Sequence, residues 1–248
     1  MGIIWLGTRK KKVLGVLNSL KNAAHEFRVS FKVADLSTPQ AQRRAQTYMI
    51  WFDHEFLRHP WTNQYEIAPH VYRSNQPPVK RIAQLAQMGI HSIITLRGDK
   101  PNPFYLLEAQ ACTQAGIELH CVTLQASRLP PASELLKLLD LFETIQRPFL
   151  FHCKSGSDRT GLAAALYLHV IEGHPIEEAL DQLSLKYVHL RASRKGIHPY
   201  MLSFYAAWRA QTGGDFREFL HQSYDPDQIA DCFSQEPFWR KVLWKWAF

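Results

Sequence analysis

The sequence predicts an α/β fold: a central, mainly parallel sheet of about four or five strands flanked by helices, with an added helical region at the N-terminus. Three observations carry this expectation. From Val71 onward, short apolar runs alternate with segments of helical length, and strands joined by helices imply crossover connections between parallel neighbours. Proline pairs stand where helices would open and glycines where they would close, which suits the geometry of helix ends. Ahead of Val71 the apolar residues recur at helical rather than strand spacing.

Taken in order, Val13, Leu14, Val16, Leu17 and Leu20 share one helical face, with Lys and Asn on the other. A second helical pattern runs from about Gln40 to Leu57 through Tyr48, Ile50, Trp51 and Phe56, and His59-Pro60-Trp61-Thr62-Asn63 breaks it. Val71-Tyr72-Arg73 is a short extended piece. Pro77-Pro78 opens a helix through Leu85 and Met88 that Gly89 stops. Ile90 to Leu96 is β-branched and apolar, so it reads as a buried strand. Pro103 to Gly116 suits a helix, and Ile117 to Leu124 a second strand. Pro130-Pro131 opens a leucine-rich helix ending near Gln146. Pro148 to His152 is the next strand, followed by helices over Thr160 to Gly173 and Pro175 to Leu185.

A hydrophobic fraction of 46% and a charged fraction of 21% describe a globular chain. The net charge of +7 is local: residues 1–48 hold nine basic and two acidic residues, so the remaining 200 balance. Cys112, Cys121, Cys153 and Cys232 have irregular spacing, which indicates neither a zinc site nor a disulfide framework. Cys112 and Cys121 read as packed thiols. No apolar stretch reaches the length of a membrane span. The short apolar run at the start precedes Lys10–Lys12, the reverse of a secretory leader, and Leu6 stands where a myristoylation signal wants Ser or Thr. Cytoplasmic residence is the expectation. Residues 238–248 combine Trp and Phe with Lys and Arg. They read either as a C-terminal helix packed on the core or, together with residues 1–40, as an anchor to the anionic inner face of a membrane. No readout motif for nucleic acid is present, so none is expected as a partner.

The chemistry concentrates in His152-Cys153-Lys154-Ser155-Gly156-Ser157-Asp158-Arg159-Thr160. A thiolate attacks phosphorus well only if it is ionised near neutral pH. Cys153 sits at the end of a strand, just before a helix whose N-terminus supplies unpaired N–H groups and positive potential. Ser155, Gly156 and Ser157 are small enough to let the loop curl, so that the amides from Lys154 to Arg159 converge on phosphate oxygens. Arg159, six positions after Cys153, can return to the same phosphate and bond two oxygens with its planar fork. Thr160 is placed to donate to the sulfur, His152 to support the loop, and Lys154 to add charge.

The segment Pro148–Gly161 resembles the signature of protein tyrosine and dual-specificity phosphatases, most of all small bacterial and fungal members. The resemblance extends over about Val71 to Leu185, including Tyr72-Arg-Ser-Asn-Gln-Pro77 and Ile93-Ile-Thr-Leu-Arg-Gly98. It implies a dual-specificity-phosphatase-like sheet and a cysteinyl-phosphate intermediate that water hydrolyses. It also implies a phosphoprotein substrate and no metal or cofactor, with Cys153 as nucleophile and Arg159 as phosphate binder. Lys154, Asp158 and the basic and aromatic termini favour instead a phosphorylated lipid at a membrane surface. On this reading, residues 1–60 are a basic helical extension, 61–225 the catalytic domain and 226–248 an aromatic and basic tail.

Such phosphatases carry an aspartic general acid on a loop that here reads Thr123-Leu-Gln-Ala-Ser-Arg-Leu-Pro-Pro-Ala-Ser-Glu134 and has no Asp. Glu134 suits helix capping. Asp158 is the first candidate for the acid, with a loop-bracing carboxylate as the alternative, and Asp99 is third. Arg128, Lys186, Arg191, Arg194 and Lys195 are candidates to line a charged substrate, or else form a solvated face. Two other functions compete with a phosphatase. A phosphate-binding module without catalysis would want a damaged nucleophile or Arg. A rhodanese-like sulfur transferase would not pair His152 with Arg159-Thr160.

Overall fold

The computed structural model describes residues 18, 19, 21–23, 25–237 and 241. Of the anchors expected at residues 1–40 and 238–248, residues 1–17, 20, 24, 238–240 and 242–248 lie outside the described residues. Among the described residues, no helix is long and apolar enough to cross a membrane.

Five strands form one sheet in the order β1-β2-β5-β3-β4. They are β1 (Tyr65–Ala68), β2 (Val71–Asn75), β3 (Ser92–Thr95), β4 (Glu118–Cys121) and β5 (Phe149–Cys153). β2, β5, β3 and β4 run parallel, and β1 pairs antiparallel with β2. The sheet therefore has the expected mainly parallel form. β1 is the strand missing from the sequence reading: it is short, lies at an edge and is only partly buried, so no apolar run marks it.

The strands divide their side chains between two faces, as a period of two demands. Ile93 of β3 and Leu150 of β5 face a core with Ile82 and Leu85 of α2 (Val79–Gln87) and Ala111 and Cys112 of α3 (Pro103–Ala115). Ile94, Phe149 and Phe151 face the larger core on the other side. That core takes Leu135, Leu138 and Phe142 from α4 (Ala132–Thr144) and Leu162 to Leu166 from α5 (Asp158–Leu166). β5 lies at the centre and is buried along its whole length, which explains its continuous Phe-Leu-Phe run.

Three further helices, α6 (Ile197–Thr212), α7 (Phe216–Gln222) and α8 (Pro226–Gln235), complete the larger core through Met201, Leu202, Phe216, Phe219, Ile229 and Phe233. The sequence reading assigned them no structure. The helix expected over Gln40–Leu57 is interrupted: α1 (Pro39–Thr47) passes into a wider turn at Tyr48–Phe52 and a separate turn at Glu55–Leu57. The one expected from Thr160 begins two residues earlier and loosens into a wide turn at Tyr167–Ile171.

The chain forms two compact units. One holds residues 1–56 and 100–107, with a small core of Ala45, Tyr48, Met49 and Leu107. The other holds 57–99 and 108–248 and contains the whole sheet.

Candidate active site

Everything at the site follows from where β5 ends. Its register sets Cys153 opposite Asn75 of β2 and His152 opposite Thr95 of β3. Cys153 thus emerges at the carboxyl edge of the sheet, between two neighbours, where open α/β sheets bind ligands. Five residues later the chain enters α5 at Asp158. The turn between is tight. Gly156 has φ +74°, and a Cβ there would lie 2.7–2.8 Å from backbone atoms of Ser74 and Asn75. Only glycine fits this position.

The loop is held from outside by its carbonyls. His152 Nδ1 contacts Cys153 O at 3.2 Å, and the amide of Gln76 donates to Lys154 O at 3.4 Å. Asn63 Nδ2 donates to Ser155 O at 3.0 Å, and Arg73 donates to Gly156 O at 2.7 Å. A trans peptide points its N–H away from its C=O, so four carbonyls tied outward leave the amides of this stretch for the concave side. The amides of Gly156 and Thr160 favour the Cys153 thiolate, as does the Thr160 hydroxyl, which has no other partner.

Cys153 is 2% exposed. Burial pushes its thiol up, but the nearby Arg159 charge and the Thr160 and Gly156 hydrogen bonds outweigh it and bring the pKa down to about 7. Arg159 Nε is buried and makes no hydrogen bond within the protein, which suits a donor reserved for an anion. Loop amides, Arg159 and an ionised sulfur together can hold a tetrahedral oxyanion and attack its centre.

Arg73 and Asn63 had no role in the sequence reading. Arg73 is fully buried. It donates to Gln182 O at 3.0 Å and Gln182 Oε1 at 2.7 Å, and its guanidinium lies 3.8 Å from the centre of the Tyr187 ring. Burial lowers its pKa to about 10, partly offset by Tyr187 and Cys153, so it stays charged at neutral pH. Asn63 also reaches Tyr187 O, so one amide ties two segments together. Arg73 sits in the quoted Tyr72–Pro77 stretch, and that was its one signal in the sequence.

Asp158, the first candidate for the general acid, has both carboxylate oxygens engaged. It is buried, with Oδ1 2.9 Å from His189 Nδ1 and Oδ2 2.9 Å from Lys195 Nζ. Burial pushes its pKa up, yet the hydrogen bonds and charges of His189 and Lys195 hold it below the usual carboxylate value. Such pairing favours the charged form of the carboxylate, and the bracing alternative fits this geometry. Glu134 is corrected, since Oε2 reaches back to accept from the Thr123 amide at 2.7 Å and braces that loop rather than capping its own helix. Asp99 is exposed.

Of the basic candidates, Lys195 is engaged by Asp158. Arg191 is turned inward onto the carbonyls of Leu183 and Leu180. Lys186 lies over the rings of Tyr65 and Tyr187, Arg194 is exposed, and Arg128 accepts through its backbone from His198. Ser157 is buried and precedes α5 without capping it through its side chain, and Lys154 and Ser155 are partly exposed. Cys112 is buried and its thiol is pushed up to about 12, an inert group. Among the described residues, no cluster of three His, Cys, Asp or Glu side chains is placed to hold a metal.

The family described as "DSP-PTPase phosphatase fused to NAD+ Kinase" matches residues 58–196. The chain is similar to the dual specificity protein phosphatase TpbA of Pseudomonas aeruginosa, with 29% identity over 126 residues, 50% of this chain and 54% of that protein. It thus spans about half the length of the curated relatives it matches. Among solved structures, P. aeruginosa TpbA superposes with a TM-score of 0.45 and 22% identity, covering 70% of this chain and 92% of that one. Human DUSP28 superposes with 0.45 and 17%, covering 60% and 98%.

Proposed function

The chain belongs to the DSP-PTPase phosphatase family through residues 58–196, and on that premise we propose that it hydrolyses phosphate monoesters by way of a cysteinyl-phosphate intermediate on Cys153. The observation that carries the proposal is the Cys153 thiol itself, lowered to about 7 at the floor of a loop whose carbonyls are tied outward. In the first step the thiolate attacks phosphorus, the ester bond breaks, and the leaving oxygen departs. Arg159 and the loop amides hold the three equatorial oxygens, where charge spreads in the transition state. In the second step water displaces the sulfur, and the Thr160 hydroxyl stabilises the departing thiolate.

The substrate we favour is a phosphotyrosyl protein. Asp158 is committed to His189 and Lys195, so the leaving oxygen receives little help from it. A phenol with a pKa of about 10 leaves far more readily unprotonated than an aliphatic alcohol. The curated relatives are dual specificity protein phosphatases, and the lipid-phosphate alternative is not favoured. The membrane surface considered from the sequence rests mainly on residues outside the described ones. The test compares kcat/KM on phosphotyrosyl, phosphoseryl and phosphothreonyl peptides and on phosphorylated lipids in vesicles. Phosphotyrosyl peptides should lead by at least tenfold; a lead for the lipids would refute the reading.

A further inference from the structure

We propose that His189 is a positioning residue for phosphate binding, holding the Asp158 carboxylate back from the anion that the loop receives. The inference rests on the reading of the Cys153 loop as a phosphate site. It goes beyond that reading, because His189 lies 31 residues after Asp158, in a segment outside the loop. Asp158 poses an electrostatic problem in an anion site. It is the one acidic residue between His152 and Thr160, and it directly precedes Arg159. A phosphate monoester carries about −1.5 to −2 charge at pH 7. A carboxylate free to swing toward it would repel it and compete for Arg159.

Asp158 is 3% exposed, and both its oxygens are taken up by the segment that follows Tyr187. The two partners differ. Lys195 Nζ lies 2.9 Å from Oδ2, and its side chain is 45% exposed. It supplies charge, but from a long side chain in contact with solvent, where such pairs hold weakly. His189 Nδ1 lies 2.9 Å from Oδ1, and its side chain is fully buried. A carboxylate only accepts, so Nδ1 carries the hydrogen of this bond. The bond requires no charge on the ring. Nε2 is buried and makes no hydrogen bond among the described residues, so the polar contact of the ring is with Asp158. His198 on α6, the other imidazole near this carboxylate, is pushed by burial down to about 4 and is neutral, so it adds no charge.

The backbone fixes where the His189 ring stands. The tight turn at Leu185–Tyr187 ends in Val188, whose φ is +61°. The Val188 amide donates to Leu185 O at 2.9 Å, and the His189 amide to Ser184 O at 3.1 Å. This paired closure ordinarily takes glycine at the left-handed position, and a β-branched residue there is strained. Such strain persists where the surroundings over-determine it, and here they do so on both sides. Before Val188, the Tyr187 ring lies 3.8 Å from the Arg73 guanidinium and its carbonyl accepts from Asn63 at 3.3 Å. After it, His189 meets Asp158.

His189→Leu removes the donor. His189→Asn restores one, because the side-chain amide reaches about as far as the ring Nδ1. The probe is inorganic phosphate, with its Kd measured by titration calorimetry at neutral pH, which needs no turnover. His189→Leu should weaken phosphate binding about tenfold, the size expected of one hydrogen bond to a charged group, and His189→Asn should stay within about threefold of wild type. On p-nitrophenyl phosphate, kcat/KM should fall in parallel. A folded His189→Leu that binds phosphate as tightly as wild type overturns the proposal. So does a His189→Asn that binds no tighter than His189→Leu, since the ring then only packs. If His189→Leu does not fold, the nitrogen NMR signals of His189 in the wild type decide. A hydrogen on Nδ1 supports the bond, and an unprotonated Nδ1 refutes it. Wild type that binds no phosphate refutes the phosphate-site reading and the proposal with it, whereas equal binding by all three proteins refutes the proposal alone.

Discussion

Cys153 is buried, and burial by itself would make it a poor nucleophile by keeping it protonated. The Arg159 charge and three hydrogen bonds reverse the sign. Alkylation of Cys153 should therefore rise with pH and level off above about 7, and Arg159→Met should move that midpoint upward, since it deletes the main stabilising charge. Asp158 gives a second prediction. Its folded pKa lies below the ordinary value of 3.8, so its ionised form stabilises the fold above that value, and this contribution disappears as pH falls through the folded pKa. Asp158→Asn should lower the unfolding midpoint at neutral pH, and the deficit should shrink in melts taken below about pH 4. Cys153, Arg159 and Thr160 were legible because one short loop carries them in order. Asn63 and Arg73 were not. Asn63 is 92 residues from Ser155, and Arg73 is 83 from Gly156. The parallel register of β2 beside β5 brings Arg73 to the loop, and Asn63 reaches it from the segment before β1.

The strand, loop and helix that contain these residues work as one element. Gly156 is its narrowest point, because a Cβ would meet the backbone of Ser74 and Asn75. Gly156→Ala should cut kcat/KM on an aryl phosphate at least a hundredfold and lower stability, as checked by steady-state kinetics beside a thermal melt. A merely flexible loop would absorb the methyl group. Arg73→Leu should cost about 3 kcal/mol or more in denaturant unfolding, since it leaves the carbonyls of Gly156 and Gln182 buried without donors. The inner strands β3 and β5 were readable because they are buried along their whole length and mostly apolar. β1 and the helices from Ile197 onward were not, for different reasons. β1 has four residues at an edge, three half-buried and one exposed. The helices carry Pro199, Gly213-Gly214 and Pro226, which interrupt any single periodic pattern.

At the scale of the whole molecule, the catalytic sheet belongs to a unit of near-balanced charge, while the excess of +7 sits in residues 1–48. Anion binding at the loop should therefore depend on local geometry rather than on a general positive field. Inorganic phosphate at a hundred times its Kd should stabilise the protein by about 2.7 kcal/mol, seen as a rise of several degrees in Tm. Arg159→Ala should abolish the rise. The measurement closest to the central claim is an acid quench during steady-state turnover of p-nitrophenyl phosphate, followed by peptide mass analysis. The account predicts one phosphoryl group on the peptide containing Cys153, and neither adduct nor turnover in Cys153→Ser. Sustained turnover by Cys153→Ser, with no phosphoryl group trapped on the wild-type cysteine, would contradict it.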